Sequence, residues 1–262
     1  MSERVSITVD DHVAVVTLNR PDKHNALDGA MFEGIAEAAG EVAGDPSVRA
    51  VVLHGAGPSF CSGLDLGSLM TGPVSLDDIL QRPEGRRANA AQRVCTDWID
   101  APAPVIAAIH GNCFGGGLQI ALGADVRFAA PDARLSVMES KWGLVPDMGI
   151  TSTLPRLVRI DVAKELTYTG RVVTGTEAQA LGLVTRLSDD PRTDALALAA
   201  EIASRNPDAI KIMKRLVDAS WTLSFDDGVR EERDQTEGMI GSKNQLEAVM
   251  ANLEQRPGQF ED

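Results

Sequence analysis

Apolar and polar residues alternate over 4–9 (RVSITV) and 12–18 (HVAVVTL), which predicts two half-buried strands joined by a short Asp10-Asp11 turn. Asn19-Arg20-Pro21 breaks the alternation. Helical spacing then runs over 28–43, with Asp28 placed to cap it. AVVLHG at 50–55 predicts a strand that ends in a glycine turn leading into GLDLGSLM. The Gly, Pro and Asp of 67–85 read as a loop, and 86–99 as a helix. PVIAAIHG at 104–111 is apolar almost throughout, the mark of a strand buried on both faces. It runs into GNCFGGGLQIALGAD, a glycine turn that opens a helix, followed by the short strands VRFAA and ARLSV. A helix is predicted over 149–158, and helices alone over 193–205, 207–220, 223–239 and 242–254.

The pattern divides the chain into an α/β core, 1–192, and a helical C-terminal domain, 193–262. Within the core, AVVLHGAG at 50–57 echoes PVIAAIHGNCFGG at 104–116, as a repeated strand–turn–helix unit would. With 262 residues, 44% of them hydrophobic, the chain can bury one large core.

Charge narrows the partners. A net charge of −13 argues against nucleic acid. Any phosphorylated ligand must be met by a local cluster of Arg, Lys or backbone N–H groups. Cys61, Cys95 and Cys113 form no CxxC pair, and no His stands at metal-ligand spacing, so a reduced compartment and no metal cofactor are expected. The polar, alternating N-terminus does not read as a signal peptide, and no run approaches the roughly 20 apolar residues of a membrane span. A soluble cytoplasmic protein without a membrane partner is expected.

Two glycine turns carry the candidate chemistry: Phe60-Cys61-Ser62-Gly63-Leu64-Asp65-Leu66 and Phe114-Gly115-Gly116-Gly117-Leu118-Gln119. Each follows a strand and opens a predicted helix, where backbone N–H groups lack partners. Two such amides can cradle an oxyanion, each worth about 3 kcal/mol in a transition state. Glycines that only allow tight turns would look the same. A dinucleotide site would need G-x-G-x-x-G in the first strand–helix unit, which is missing.

The ordered blocks NRPDKHNAL (19–27), FCSGLDL (60–66), PVIAAIHGNCFGGG (104–117), SVMESKWGLVPDMG (136–149) and TGRVVTGTEAQALGLV (169–184) resemble the crotonase, or enoyl-CoA hydratase/isomerase, family over nearly the whole chain. The resemblance implies a spiral core of ββα units, a helical C-terminal domain, and a homotrimer or dimer of trimers. It implies an acyl-CoA thioester substrate, with CoA arriving as part of that substrate and not as a separate cofactor. The oxyanion hole maps onto the N–H groups of Leu64 and Gly116. Substrate contacts map onto Lys23, Asn25 and Ala26, with Ser62, Asp65 and Leu66 beside them. Arg256 and Phe260 fall in the stretch that often completes a neighbour's CoA site.

The hydratases of this family hold water between two glutamates. One maps onto Gln119, and an amide accepts no proton at neutral pH. The other maps onto Glu139, which is present. Eight residues on, Asp147 stands where hydratases commonly have Gly, and the dienoyl-CoA isomerase branch has a carboxylate there. That branch also has an Asp at the position of Gln119, so the match is partial. Glu139 and Asp147 could share proton transfer, or Glu139 could shuttle alone. Three readings follow: an enoyl-CoA isomerase, an enoyl-CoA hydratase, or a non-catalytic acyl-CoA-binding protein.

The plainer readings stand beside these. Asp147 could cap the helix at 149–158, Glu139 could pair with Lys141, and Gln119 could face solvent or line the site. His54 and His110 read as structural, and His24 as ligand contact or surface. Ser62 has no His–Asp support, which excludes a serine hydrolase. Trp142 suits an acyl pocket or the core. Arg86-Arg87 suit CoA phosphates or a solvated helix face.

Overall fold

The structure, a computed structural model, describes residues 3–71 and 76–262. The alternating runs form Val5–Asp10 (β1) and Val13–Leu18 (β2), paired antiparallel from Val5–Leu18 to Asp10–Val13. Asp11 and His12 turn the chain with φ of 43° and 66°, the left-handed geometry whose twist suits a two-residue hairpin. Gly29–Gly44 (α1) follows, capped as expected by the Asp28 carboxylate, which accepts from Met31 N–H at 2.9 Å.

Ala50–Gly55 (β3) leads to Leu66–Thr71 (α2) and Leu76–Leu80 (α3). These helices replace most of the loop expected at 67–85; its residues 72–75 lie outside those described. Asp65 overrides the local glycine by capping α2, accepting from Ser68 N–H at 3.1 Å and Ser68 Oγ–H at 2.7 Å. The helix expected at 86–99 begins later, as Ala90–Ile99 (α4). A reciprocal capping box fixes its start, with Gln92 N–H donating to Asn89 and Asn89 N–H donating to Gln92.

Val105–Ile109 (β4), Asn112–Phe114 (β5), Gly116–Leu122 (α5), Val126–Ala129 (β6) and Arg134–Ser136 (β7) complete the repeat that the sequence echo implies. Strands β3, β4 and β6 are parallel neighbours in the main sheet. Cys61, β5 and β7 form a parallel row in the second layer. Each unit crosses the main sheet, steps to the second layer and, after Cys61 and after β5, turns into a helix. The remaining core elements are Ile150–Leu157 (α6), Ile160–Thr169 (α7), Val173–Thr174 (β8), Gly175–Leu181 (α8) and Arg186–Leu187 (β9). The main sheet runs β1-β2-β3-β4-β6-β9 and the second β5-β7-β8.

The strand period sorts the core into two faces. Val51, Leu53, Val105, Ala107 and Ile109 face one cluster, while Ala50, Val52, Ile106 and Ala108 face another. Pro191–Ala203 (α9) closes the second face with Ala195, Ala199 and Ala203, spaced four apart so that small side chains let the helix lie close. Core packing therefore continues past residue 192. Pro207–Ala219 (α10), Phe225–Met239 (α11) and Lys243–Leu253 (α12) follow. Lys214 ties α10 to the core through Asp125 at 2.7 Å and the Trp98 carbonyl at 3.2 Å. Among the described residues no helix is long and apolar enough to cross a membrane.

Candidate active site

The second layer brings the two glycine turns side by side. Cys61 N–H donates to Asn112 O at 3.0 Å, and Phe114 N–H donates to Cys61 O at 3.0 Å. The next residues in each chain segment, Gly63-Leu64 and Gly115-Gly116, therefore meet. A Cβ on Gly63 would stand 2.8 Å from Phe114 O and 3.7 Å from Gly116 N, and φ there is 90°, so glycine is required on both counts. Among the described residues no backbone carbonyl takes the N–H of Leu64 or Gly116. Both residues line a cavity of about 180 Å³, with Ser62, Leu66, Met138 and Glu139. Two N–H groups that take no backbone carbonyl thus belong to residues lining one cavity.

Glu139 opens a short 3₁₀ turn, Glu139–Trp142, and hangs its carboxylate over the second glycine turn. A Cβ on Gly115 would lie 3.3 Å from Glu139 Oε1. The side chain is buried, and Oε1 accepts from Gln119 Nε2–H at 2.6 Å. Among the described residues three buried side-chain polar atoms lack partners: Trp98 Nε1, Ser140 Oγ and Glu139 Oε2. Of these residues only Glu139 lines the cavity. Burial pushes its carboxyl above the usual range and the charge of Asp147 adds to this, against hydrogen bonds from its own N–H and Gln119. The plainer alternative of a surface residue paired with Lys141 does not hold, since Glu139 is buried.

Gln119 is buried and does not line this cavity. Its Oε1 accepts from Met148 N–H at 2.9 Å while its Nε2 holds Glu139, so its amide is engaged by protein on both sides. This corrects the solvent-facing and substrate-contacting expectations alike. Asp147 is also placed differently. It lines a second cavity of about 400 Å³ with Arg87, Gln92, Thr96 and Arg156. Its neighbour Met148 is buried and donates its N–H to Gln119, while Asp147 is exposed. Gly149, not Asp147, occupies the N-cap of α6. Burial raises the Asp147 carboxyl, opposed by its own N–H.

The model of the enoyl-CoA hydratase/isomerase family matches residues 8–262. The chain belongs to this family, the crotonases. It is 34% identical over 269 residues to the mitochondrial Δ3,5-Δ2,4-dienoyl-CoA isomerase of Rattus norvegicus, covering 97% of this chain and 80% of that one. It is 30% identical over 255 residues to the mitochondrial methylglutaconyl-CoA hydratase of Mus musculus, covering 95% and 79%. The crystal structure of an enoyl-CoA hydratase from Bacillus anthracis superposes with a TM-score of 0.86 at 31% identity, covering 98% of each chain. Isomerases and hydratases match at similar identity, so likeness alone does not choose between them. An acyl-CoA thioester fits the family.

Within this crotonase the NRPDKHNAL segment sits beside the first glycine turn, yet its residues play unequal parts. Lys23 and His24 are exposed. Ser62 N–H donates to His24 O at 2.9 Å, and the half-buried Ser62 lines the cavity. Asn25 corrects the expectation of substrate contact: it is fully buried, and its side chain is spent on backbone. Its Oδ1 accepts from Arg20 N–H at 2.8 Å, and its Nδ2 donates to Ser59 O at 2.7 Å and Ala56 O at 2.9 Å. Ala26 is buried, with its carbonyl taken by Arg20 at 3.1 Å. Asp65 caps α2 and pairs with Arg20 at 2.9 Å, and the Ser68 hydrogen bonds lead in holding its carboxyl low. Leu66 lines the cavity. Arg256 pairs with Glu247 and Glu254, and the Phe260 carbonyl accepts from Arg49 at 2.9 Å, so both tie the C-terminal stretch to its own chain.

His54 and His110 are satisfied, by Thr17 Oγ1 and by Gly57 O, each at 2.9 Å. Trp142 is exposed at the cavity rim and is not core. Arg87 pairs with Asp100 outside α4. Sequence reasoning missed Met148, which packs under Gly116: a Cβ there would lie 2.8 Å from Met148 Sδ. It also missed Arg20, buried between Asp28 and Asp65. Among the described residues no cluster of His, Cys, Asp or Glu could hold a metal ion.

Proposed function

We propose that this crotonase is an enoyl-CoA isomerase that moves a double bond with Glu139 as its proton shuttle. The supporting observation is Glu139, buried with its Oε2 unpartnered, lining the same cavity as Leu64 and Gly116, whose N–H groups take no backbone carbonyl. In a 3-enoyl-CoA, Oε2 takes a proton from C2. The C–H electron pair forms C2=C3, and the C3=C4 pair becomes a carbanion equivalent at C4, shared with the thioester oxygen as a dienolate. The two amides stabilise that oxygen. Glu139 returns the same proton to C4, giving 2-enoyl-CoA and restoring the carboxylate. A carboxyl raised by burial suits both steps near neutral pH. A 3,5-dienoyl-CoA would follow the same course, with the proton returned farther along the chain.

Hydration is the second reading, favoured by the hydratase relatives. It requires a second group to hold water beside Glu139, and the Gln119 amide is already engaged at both atoms. The experiment is turnover of 2-enoyl-, 3-enoyl- and 3,5-dienoyl-CoA with products weighed by mass spectrometry. Products of unchanged mass and shifted retention are expected from the 3-enoyl and dienoyl esters. Accumulation of 3-hydroxyacyl-CoA would make the protein a hydratase.

The assembly belongs to the same proposal. Trp221, Phe225, Ile240 and Leu253 are exposed on and beside α10–α12, apolar surface that a homotrimer or dimer of trimers would cover.

A further inference from the structure

Gln119 lies on α5 one helical turn after Gly116 and is 1% exposed. Chemistry fixes its amide orientation. A backbone N–H can only donate, so the atom facing Met148 N is Oε1, and Nε2 must face Glu139. A single helical turn therefore carries an oxyanion N–H at one end and the grip on the carboxylate at the other. Met148 closes the triangle, bonded to Gln119 through its N–H and packed on Gly116 through its sulfur.

We propose that Gln119 is the positioning residue of this site: by holding Oε1 it leaves Oε2 as the carboxylate oxygen without a partner, in fixed register with the Gly116 amide. This rests on Glu139 being the base. The terminal torsion of a glutamate is broad and nearly two-fold, so an ungripped carboxylate would present either oxygen over a range of angles. Reacting atoms must sit at about 3–3.5 Å with aligned orbitals, and a displacement of about 1 Å can cost 10²-fold.

The grip also acts on charge. Asp147 is the charged group that acts on Glu139, and it opposes ionisation, as burial does. The other charged groups on the elements packed here are Lys141 on the same turn and Asp161, Lys164 and Glu165 on α7, which packs against that turn. The Gln119 N–H favours the ionised form and keeps the base available.

The experiment compares Gln119→Leu, Gln119→Glu and Glu139→Gln by kcat, KM and the pH profile of kcat. Gln119→Leu keeps the volume and removes the donor. Its kcat is expected to fall about 10- to 100-fold with KM little changed, and its acid limb to move to higher pH because an ionised Glu139 has lost its donor. In Gln119→Glu a neutral carboxyl can donate its O–H to Glu139 and accept from Met148. This variant should work while the pair shares one proton and lose activity where both ionise, a basic limb foreign to the parent enzyme. A merely structural role would lower activity evenly across pH and create no limb. Gln119→Glu decides the matter if Gln119→Leu does not fold. Parent pH profiles in both Gln119 variants, with Glu139→Gln inactive, would overturn the positioning role alone. Turnover by Glu139→Gln would overturn the base and the positioning role together.

Discussion

Replacing Glu139 by Gln is expected to lower kcat by between about 10²- and 10⁴-fold, the usual contribution of a positioned general base. The fold should survive. The change is nearly isosteric, and it removes a buried carboxylate whose Oε2 has no partner. An amide at 139 can still accept from Gln119 through its oxygen. Thermal unfolding is therefore expected at or above the parent temperature, since a buried unpaired charge is the costlier state. In the parent enzyme kcat should rise with pH as Glu139 ionises. That limb should lie above the ordinary carboxylate range, because burial leads in raising this carboxyl. Full turnover by a folded Glu139→Gln variant would remove the base from the mechanism.

Gly63→Ala should have the second large effect, and it acts on the other half of the chemistry. The residue sits at φ 90°, and its Cβ would press to 2.8 Å on the Phe114 carbonyl oxygen, which is backbone and gives way little. Strain and collision together should cost about 1–3 kcal/mol of stability, read by urea unfolding. To relieve them the turn must shift, carrying the Leu64 N–H away from the Gly116 N–H. Losing one oxyanion donor typically costs 10²- to 10³-fold in kcat, and that loss is expected here. Gly85→Ala is the control: φ is 75° and nothing lies within 4 Å of its Cβ, so it carries the backbone strain without the collision or the loss of rate. A Gly63→Ala enzyme with parent kcat would mean that Leu64 N–H plays no part.

Local features of this fold were legible in the sequence. Alternation marked β1 and β2, unbroken apolar runs marked β3 and β4, and Asp28 announced the start of α1. The echo between 50–57 and 104–116 anticipated two units of the spiral. Long-range pairing was legible only through the resemblance, which set positions 119 and 139 about one water; the direct Gln119–Glu139 bond and the Met148 contact, across 20 and 29 residues, are recorded by no local pattern. Asp147 lines a second cavity while the next residue, Met148, is buried and bonded to Gln119, and nothing in the local sequence separates the two. Asn25 was expected to contact substrate because the family resemblance maps that segment onto the CoA site, and the sequence does not show whether its amide meets substrate or backbone. A helix was expected to open after the first glycine turn, yet composition at 67–85 also favoured a loop; the Asp65 cap decides for the helix at its start.

The central claim is that one carboxylate carries one proton from C2 to C4 above two backbone amides. The most direct measurement uses 3-enoyl-CoA labelled with deuterium at C2, with the product read by NMR over the first turnovers. Deuterium recovered at C4 of a 2-enoyl-CoA of otherwise unchanged mass is the predicted result. Hydrogen at C4 drawn wholly from solvent, or a water-derived hydroxyl at C3, would contradict it.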